Sequence, residues 1–491
     1  MKIRRVLAWL LLASGAAGFV TTAQWSWMAA MGIGSGFLLL RGMTVGLWGG
    51  LLYSALQSLR YFPYAGSGAF GSKWALSLAV VMHVPDGVLV VNLLAVAMGL
   101  ACAGLLLECS TMNKTIGQRH RLSTRLAFLT AGLAMSAWAP LVPYARERLA
   151  LAEGPLGLLL LCLGAGSLLA MPLTGALAAR FGCRAVVLWS ALVVCLALPG
   201  LALAPTPLLL GLVLFIFGAS LGTMDVAMNV QAVMVEKASG GALMSGFHGM
   251  FSLGGFAGAG GMALLLWLGS GPLAACLAIV ALVAVLLWRA SPDLLHEPEA
   301  REGNSPAFAV PHGAVVFIGA LCFIVFLAEG AMLDWSAVFL TAERGLEEGR
   351  AGLGYAAFAV AMTVGRLTGD RVVGRFGGRP VLLAGGLCAA AGFFTAVASP
   401  SPALALAGFV LVGLGASNIV PILFTAAGNQ RAMPASLAIA AITTIGYAGI
   451  LAGPALIGFV AHLSSLELAF SALGGALLLV AASARLVRVH S

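Results

Sequence analysis

At 491 residues the chain is 61% hydrophobic and only 9% charged, with a mean hydropathy of +1.04. No soluble domain is that apolar, and although the net charge is +9, the basic residues stand singly or in small groups between apolar runs, which argues against a nucleic-acid-binding surface. Runs of roughly 20 apolar residues, the length a helix needs to cross a bilayer, recur along nearly the whole sequence, so the expected class is an all-α polytopic membrane protein.

The chain opens with Lys2, Arg4 and Arg5 before VLAWLLLASGAAGFV, which reads as a signal anchor or an uncleaved signal sequence. Apolar stretches follow near 26–40, 44–59 and 87–107, the last preceded by His83, Pro85 and Asp86. Residues 1–111 are therefore expected to form a hydrophobic extension of two or four spans. Met112 begins MNKTIGQRHR, which would itself serve as a cytoplasmic N-terminus. The extension reads either as an accessory hairpin or as a misassigned start or fusion.

From residue 123 the segments are regular. Spans are expected near 123–145, 156–178, 184–204, 207–235, 242–268, 271–289, 312–340, 351–373, 379–398, 402–427, 434–461 and 466–486. The longest link between them, SPDLLHEPEAREGNSP within residues 291–311, is polar and holds prolines. It separates an N-terminal six-helix half (112–290) from a C-terminal one (312–491).

A repeat supports that division. Residues 180–188 read RFGCRAVVL and residues 375–383 read RFGGRPVLL; the pairs Pro205/Pro207 and Pro400/Pro402 stand at the same offset. A period near 200 residues is too long for a solenoid and suits a duplicated bundle of about six helices per half. The charges fix an orientation. Arg180, Arg184, Lys237, Arg371, Arg375, Arg379, Arg431 and Arg485 fall on one side, with the linker. The other side holds Arg146, Arg148, Arg344 and Arg350, offset by Glu147, Glu153, Glu343, Glu347, Glu348 and Glu467. By the positive-inside rule both ends of the twelve-span bundle are cytoplasmic. The eight cysteines form no CxxC pair and read as reduced packing residues. No GxSxG, HExxH, CxxC or P-loop occurs, so neither an enzyme, an ATP-driven pump, a metal site nor a cofactor is expected.

Two six-helix halves, a central linker and a basic-glycine motif after the second and eighth spans resemble the major facilitator superfamily over residues 112–491. The family's loop motif runs roughly GxxxDRxGRR. Here it reads GALAARFGCR from Gly175 to Arg184, with Ala179 in the acid position and Cys183 in a basic one. The second copy keeps Arg375, Gly377 and Arg379, has Gly374 in the acid position, and carries Asp370 and Arg371 upstream. Arg180, Gly182 and Arg184 with Arg375, Gly377 and Arg379 are thus the implied gating motifs, without the usual acid. In the fourth span, GASLGTMDVAMN is similar to the acid-x-x-x-Asn element of the fucose-permease-like branch, and AEGAMLDWSAVFL in the seventh resembles the YbjJ group of bacterial inner-membrane proteins. Fucose permeases have a second acid in the first span; the counterpart here is Ala139, so their two-acid scheme does not carry over whole.

A charge at mid-membrane costs about 2.5–3.5 kcal/mol on the insertion scale, so an acid there needs a partner, a proton or a water-filled cavity. Asp225, Glu329 and Asp334 qualify. Asp225 shares a helix face with Asn229 and reads as a proton or substrate site, or as a structural hydrogen bond to Asn229. Glu329 reads as facing a central cavity, or as part of a packing network. Asp334, beside Trp335, reads as an outer gate or cap. His248, Asn418 and Trp138, with Tyr144, are further candidates for contact with a polar solute, ordinary packing being the alternative for each. Arg366 and Asp370, four apart, are expected to form an intrahelical ion pair. The glycines and Pro454 of GYAGILAGPALIG allow close packing and a kink.

The expected function is secondary active transport of a small polar, sugar-like solute with protons, by a monomer in the bacterial inner membrane. The partners are the solute, protons and the lipid bilayer, with no nucleic acid. Two other readings stay open: a proton-antiport exporter of drugs or metabolites, and a non-transporting sensor or accessory protein.

Overall fold

The structure, a computed structural model, describes residues 7–14, 27–40, 53–54, 59–63, 70–71, 79–84, 87–92, 116–295 and 310–487. Two compact units are present, residues 1–119 with 269–271, and the remainder.

In the first unit, Trp27–Leu40 forms a helix where an apolar stretch was expected. Its 14 residues fall short of the roughly 20 needed to span a bilayer. The region after it departs from expectation. Leu59–Pro63 (β1), Phe70–Gly71 (β2), Ala79–Val84 (β3) and Gly87–Asn92 (β4) form an antiparallel sheet in the order β2-β1-β4-β3. The stretch expected to span over 87–107 thus begins as a strand pairing Val88 with Phe62 and His83. Valine-rich runs on either side of Pro85–Asp86–Gly87 favour a pleated hairpin, because β-branched side chains pack well on a sheet and Pro-Asp-Gly suits a turn. The rest of that stretch, and the 44–59 stretch apart from residues 53–54 and Leu59, lie outside the described residues.

The second unit is helical. Among its described residues are twelve membrane helices, of which the first half supplies α1 (Ile116–Ser136, extended by a short turn and Val142–Arg148), α2 and α3 (the two arms of Glu153–Leu203), α4 (Pro207–Ser239), α5 (Met244–Trp267) and α6 (Pro272–Ala290). The second half supplies α7 (Ala314–Val338), α8 (Leu353–Phe376), α9 (Gly378–Ala398), α10 (Pro402–Ala416 and Ile419–Asn429), α11 (Ala435–Leu463) and α12 (Leu466–Ala482). Length and apolarity alone pick out ten helices among the described residues. One of them is the bent pair α2–α3, and α8 falls short only because Arg366, Asp370, Arg371 and Arg375 dilute it.

The repeat is visible in the backbone. Gly182, between α2 and α3, has φ 79° and ψ 154°; Gly377, between α8 and α9, has φ 82° and ψ 155°. An L side chain rarely adopts that region, so each RFG turn needs its glycine. The end of the bundle carrying these turns is called the RFG end below. Within halves, α2 pairs with α4 and α7 with α11; between halves, α2 meets α11 and α5 meets α8. The contacts are close because side chains are missing where backbones touch. A methyl on Gly132 would collide with the Phe251 carbonyl, and one on Gly449 with the Phe323 carbonyl. The glycines of α11 therefore serve packing on α7. Large apolar side chains such as Leu208, Leu196 and Trp267 point outward all round the bundle. A surface of that extent is compatible with lipid and not with water.

Candidate functional site

Tyr447 on α11 stands within electrostatic reach of an acid from each half, Asp225 on α4 and Glu329 on α7. Asp225 is held from its own helix. Asn229 Nδ2 donates to the Asp225 carbonyl at 2.9 Å and to its carboxylate at 3.2 Å. From the other half, the hydroxyl of Tyr447 on α11 is turned toward the same carboxylate. The Tyr447 ring stands edge-on to Phe326, centroids 6.0 Å apart. Gly446 leaves the space that the Phe326 ring occupies.

Glu329 on α7 is paired. Arg366 Nη2 lies 3.2 and 3.4 Å from its two carboxylate oxygens, and Arg366 Nη1 donates across the halves to Ser252 Oγ at 3.1 Å. This corrects the expected Arg366–Asp370 pair. Spacing by one turn permits such a pair, but Arg366 is buried and extends toward α7, where a half-buried carboxylate needs compensation. Asp370 instead accepts a hydrogen bond from the Gly246 amide at 2.7 Å.

His248 on α5 lies between Phe128 of α1 and Phe424 of α10, at centroid distances of 5.3 and 5.6 Å. Asn418 sits at the break in α10. Pro421 three residues on cannot donate a backbone hydrogen bond, and the chain turns there before helix resumes at Ile419. Asn418 Nδ2 donates to the Gly365 carbonyl and to Ser417 Oγ. Trp138 is buried in the turn that ends α1.

One property unites these side chains. Trp138 Nε1, Asn229 Oδ1, His248 Nε2, Arg366 Nε and Asn418 Oδ1 are all buried polar atoms without a protein hydrogen-bond partner. Buried polar groups in folded proteins are nearly always satisfied, so each of these atoms marks a point where water or a solute group is expected, as do Arg289 Nε and Nη2, Trp335 Nε1 and Ser336 Oγ elsewhere in the bundle.

The remaining candidates lie elsewhere. Asp334 is exposed, and the Trp335 ring packs beside Gly458 of α11. Arg180 and Arg375 are exposed, each over its neighbouring phenylalanine. The Arg184 amide donates to the Leu295 carbonyl, and Arg379 donates to the Ala484 and Arg485 carbonyls at the end of α12. Among the described residues no group of His, Cys, Asp and Glu could hold a metal ion.

Tyr447, Ser252 and, at the RFG end, Glu236, Lys237 and Thr425 were not anticipated. Glu236 Oε2 accepts from the Leu243 and Met244 amides at 2.7 and 2.8 Å, and its Oε1 accepts from Thr425 Oγ1 at 2.6 Å. The charged pair Glu236–Lys237 closing an apolar helix was the signal available; for Tyr447, inside a glycine-rich string, there was none.

Comparison with known proteins decides the family, since the Major Facilitator Superfamily profile matches residues 124–429. The chain belongs to the Major Facilitator Superfamily. An uncharacterised MFS-type transporter of Yersinia pestis is 60% identical over 374 residues, 76% of this chain and 96% of that one. Among solved structures, the fucose:proton symporter of E. coli, FucP, superposes with a TM-score of 0.63 at 18% identity, covering 76% of this chain and all of that one. The proton:xylose symporter XylE gives 0.59 at 15% identity, covering 76% and 95%. At such identities the likeness to these structures is one of fold. Major facilitators are transporters and not enzymes, and this chain is accordingly a multi-pass membrane transporter.

Proposed function

We propose that the chain is a secondary active transporter that moves a small polar, sugar-like solute together with protons, rocking residues 112–290 against 312–491. The five unpartnered polar atoms carry this reading. Trp138 Nε1 and Arg366 Nε can only donate, Asn229 Oδ1 and Asn418 Oδ1 can only accept, and His248 Nε2 can do either. A simple anion would answer the donors alone and a simple cation the acceptors alone. A hydroxyl donates and accepts, so a polyhydroxylated solute answers both. Asp225 and Glu329 are the proposed proton-bearing groups, since a carboxyl out of water can exchange its proton with the cycle. That FucP and XylE are proton symporters of sugars supports the same direction. The Lys and Arg bias supports a cytoplasmic RFG end and C-terminus, and the protein is proposed to act as a monomer in the bacterial inner membrane.

The test begins with thermal unfolding of the purified protein against sugars, polyols, organic acids and amphipathic cations. A ligand at 100 times its Kd raises stability by about 2.7 kcal/mol. A stabilising polyol or sugar is then followed as uptake into proteoliposomes under a pH gradient. Asp225→Asn is expected to abolish gradient-driven uptake; uptake that stays intact removes the proton role of Asp225. Stabilisation by amphipathic cations alone would transfer the reading to an exporter.

A further inference from the structure

The acid of the family's loop motif is absent from both copies here, where Ala179 and Gly374 stand instead. The RFG end is nonetheless tied between the halves by three side-chain hydrogen bonds. Asp370 Oδ1 on α8 accepts from the Gly246 amide on α5 at 2.7 Å. Thr425 Oγ1 on α10 donates to Glu236 Oε1 on α4 at 2.6 Å. Lys237 Nζ, also on α4, donates to the Gly428 carbonyl on α10 at 2.5 Å.

Two of these bonds put a charge on a helix end of opposite polarity. Gly246 is in the first turn of α5, whose amides have no intrahelical partner and carry partial positive charge. Gly428 is in the last turn of α10, where the carbonyls carry partial negative charge. The start of α5 is divided between the halves. Glu236 of its own half takes the Leu243 and Met244 amides, and Asp370 of the other half takes Gly246. Gly246 is shaped for this contact, because a Cβ there would overlap the Asp370 carboxylate.

The duplication supplies a second, independent observation. The offset that relates the two RFG turns carries Asp370 onto Gly175. Gly175 also meets the start of a helix in the opposite half: a Cβ on it would press against the Ser436 carbonyl and Ala440 at the beginning of α11. Equivalent positions thus face equivalent helix starts. One makes bare backbone contact; the other delivers a carboxylate.

We propose that Asp370, seated on the first turn of α5, is the latch that holds the RFG end closed in this chain, in the place of the missing loop acids. The closure is asymmetric, electrostatic on the α5–α8 side and steric on the α2–α11 side. The latch is a step of the alternating-access cycle and so rests on the carrier reading above.

The experiment is hydrogen–deuterium exchange of the full-length protein in lipid nanodiscs, comparing the parent chain with Asp370→Ala and with Gly246→Ala. The second variant keeps the acid and denies it its seat, so the proposal stays testable if the first fails to fold. Loss of a charge-assisted hydrogen bond is expected to speed exchange roughly tenfold or more over residues 243–250, and to speed it also over 425–431 in the other half, with residues 340–350 at the far end unchanged. Unchanged exchange in both variants overturns the latch. Acceleration confined to the first turn of α5 also overturns it, since that is the mark of a local helix cap. Exchange reads closure and not solute movement. Failure of the carrier reading would therefore show as silent uptake with the exchange pattern intact.

Discussion

Glu329→Gln tests how the bundle holds its buried charges. Arg366 Nη2 lies 3.2 Å from Glu329 Oε1, with side-chain exposures of 8% and 17%. At an effective dielectric of about 20, two unit charges at that separation attract by roughly 5 kcal/mol. Desolvation offsets much of this, so the pair adds little over a well-packed apolar substitute, but removing one partner strands the other. Arg366 would be left with Ser252 on Nη1 and nothing on Nε. Breaking a buried pair in this way costs about 3–5 kcal/mol, and that is the loss expected for Glu329→Gln. The double variant Glu329→Leu/Arg366→Met should recover most of it, because both desolvation costs go together. The assay is reversible unfolding in mixed micelles, run as a double-mutant cycle. A single-variant loss below about 1 kcal/mol, the range of exposed pairs, would refute the reasoning. So would a double variant as unstable as the sum of the singles.

Gly182→Ala and Gly377→Ala are expected to cost about 1–3 kcal/mol each and to cost the same within error, since the two residues share one backbone conformation; apparent melting temperatures of the purified variants check this, and a clear inequality would mean that the turns are not equivalent. Arg344→Lys should destabilise by about 2 kcal/mol or more, because one ammonium replaces a guanidinium that reaches the Ala396 and Val397 carbonyls, bonds Glu467 at 2.7 Å and lies over the Phe339 ring; a neutral result in the same melting assay would show that the fork geometry is dispensable.

Much of the bundle was legible because membrane helices announce themselves by length and because duplicated turns need duplicated glycines. Gly182 and Gly377 could be paired from the sequence alone, and Asp225 with Asn229 from their four-residue spacing. The Arg366 assignment failed for a physical reason. A spacing of four says which residues can meet on one helix, but a buried guanidinium goes where the uncompensated carboxylate is, and Glu329 lies on another helix. Tyr447 was hidden for the same reason: its partner Asp225 belongs to the other half, more than 200 residues away. The strand Gly87–Asn92 lies in a stretch whose apolarity suggests a span, although the valine runs and Pro85–Asp86–Gly87 carry the opposite signal.

The duplication explains the backbone and leaves the chemistry unexplained, and the difference is informative. At the offset of the repeat, Asp225 corresponds to Val420, Asn229 to Phe424, Glu329 to Ala134, Arg366 to Met171 and Asp370 to Gly175. Each of these five groups thus occurs once, opposite an apolar or side-chain-free equivalent, whereas Asn418 and His248 fall opposite Thr223 and Thr443. Backbone turns can be repeated at no cost, since each half needs its own. Buried charges cannot, because each added copy brings a further desolvation cost unless a partner comes with it. A site between two halves needs only one acid on each flank, and here α4 and α7 supply them from non-equivalent positions. The asymmetry has a consequence for movement. If the α2–α11 seam were latched by charge as well, opening would have to break one more such bond. With Gly175 there in place of an acid, that seam can slide while the bonds of Asp370, Glu236 and Lys237 set the threshold.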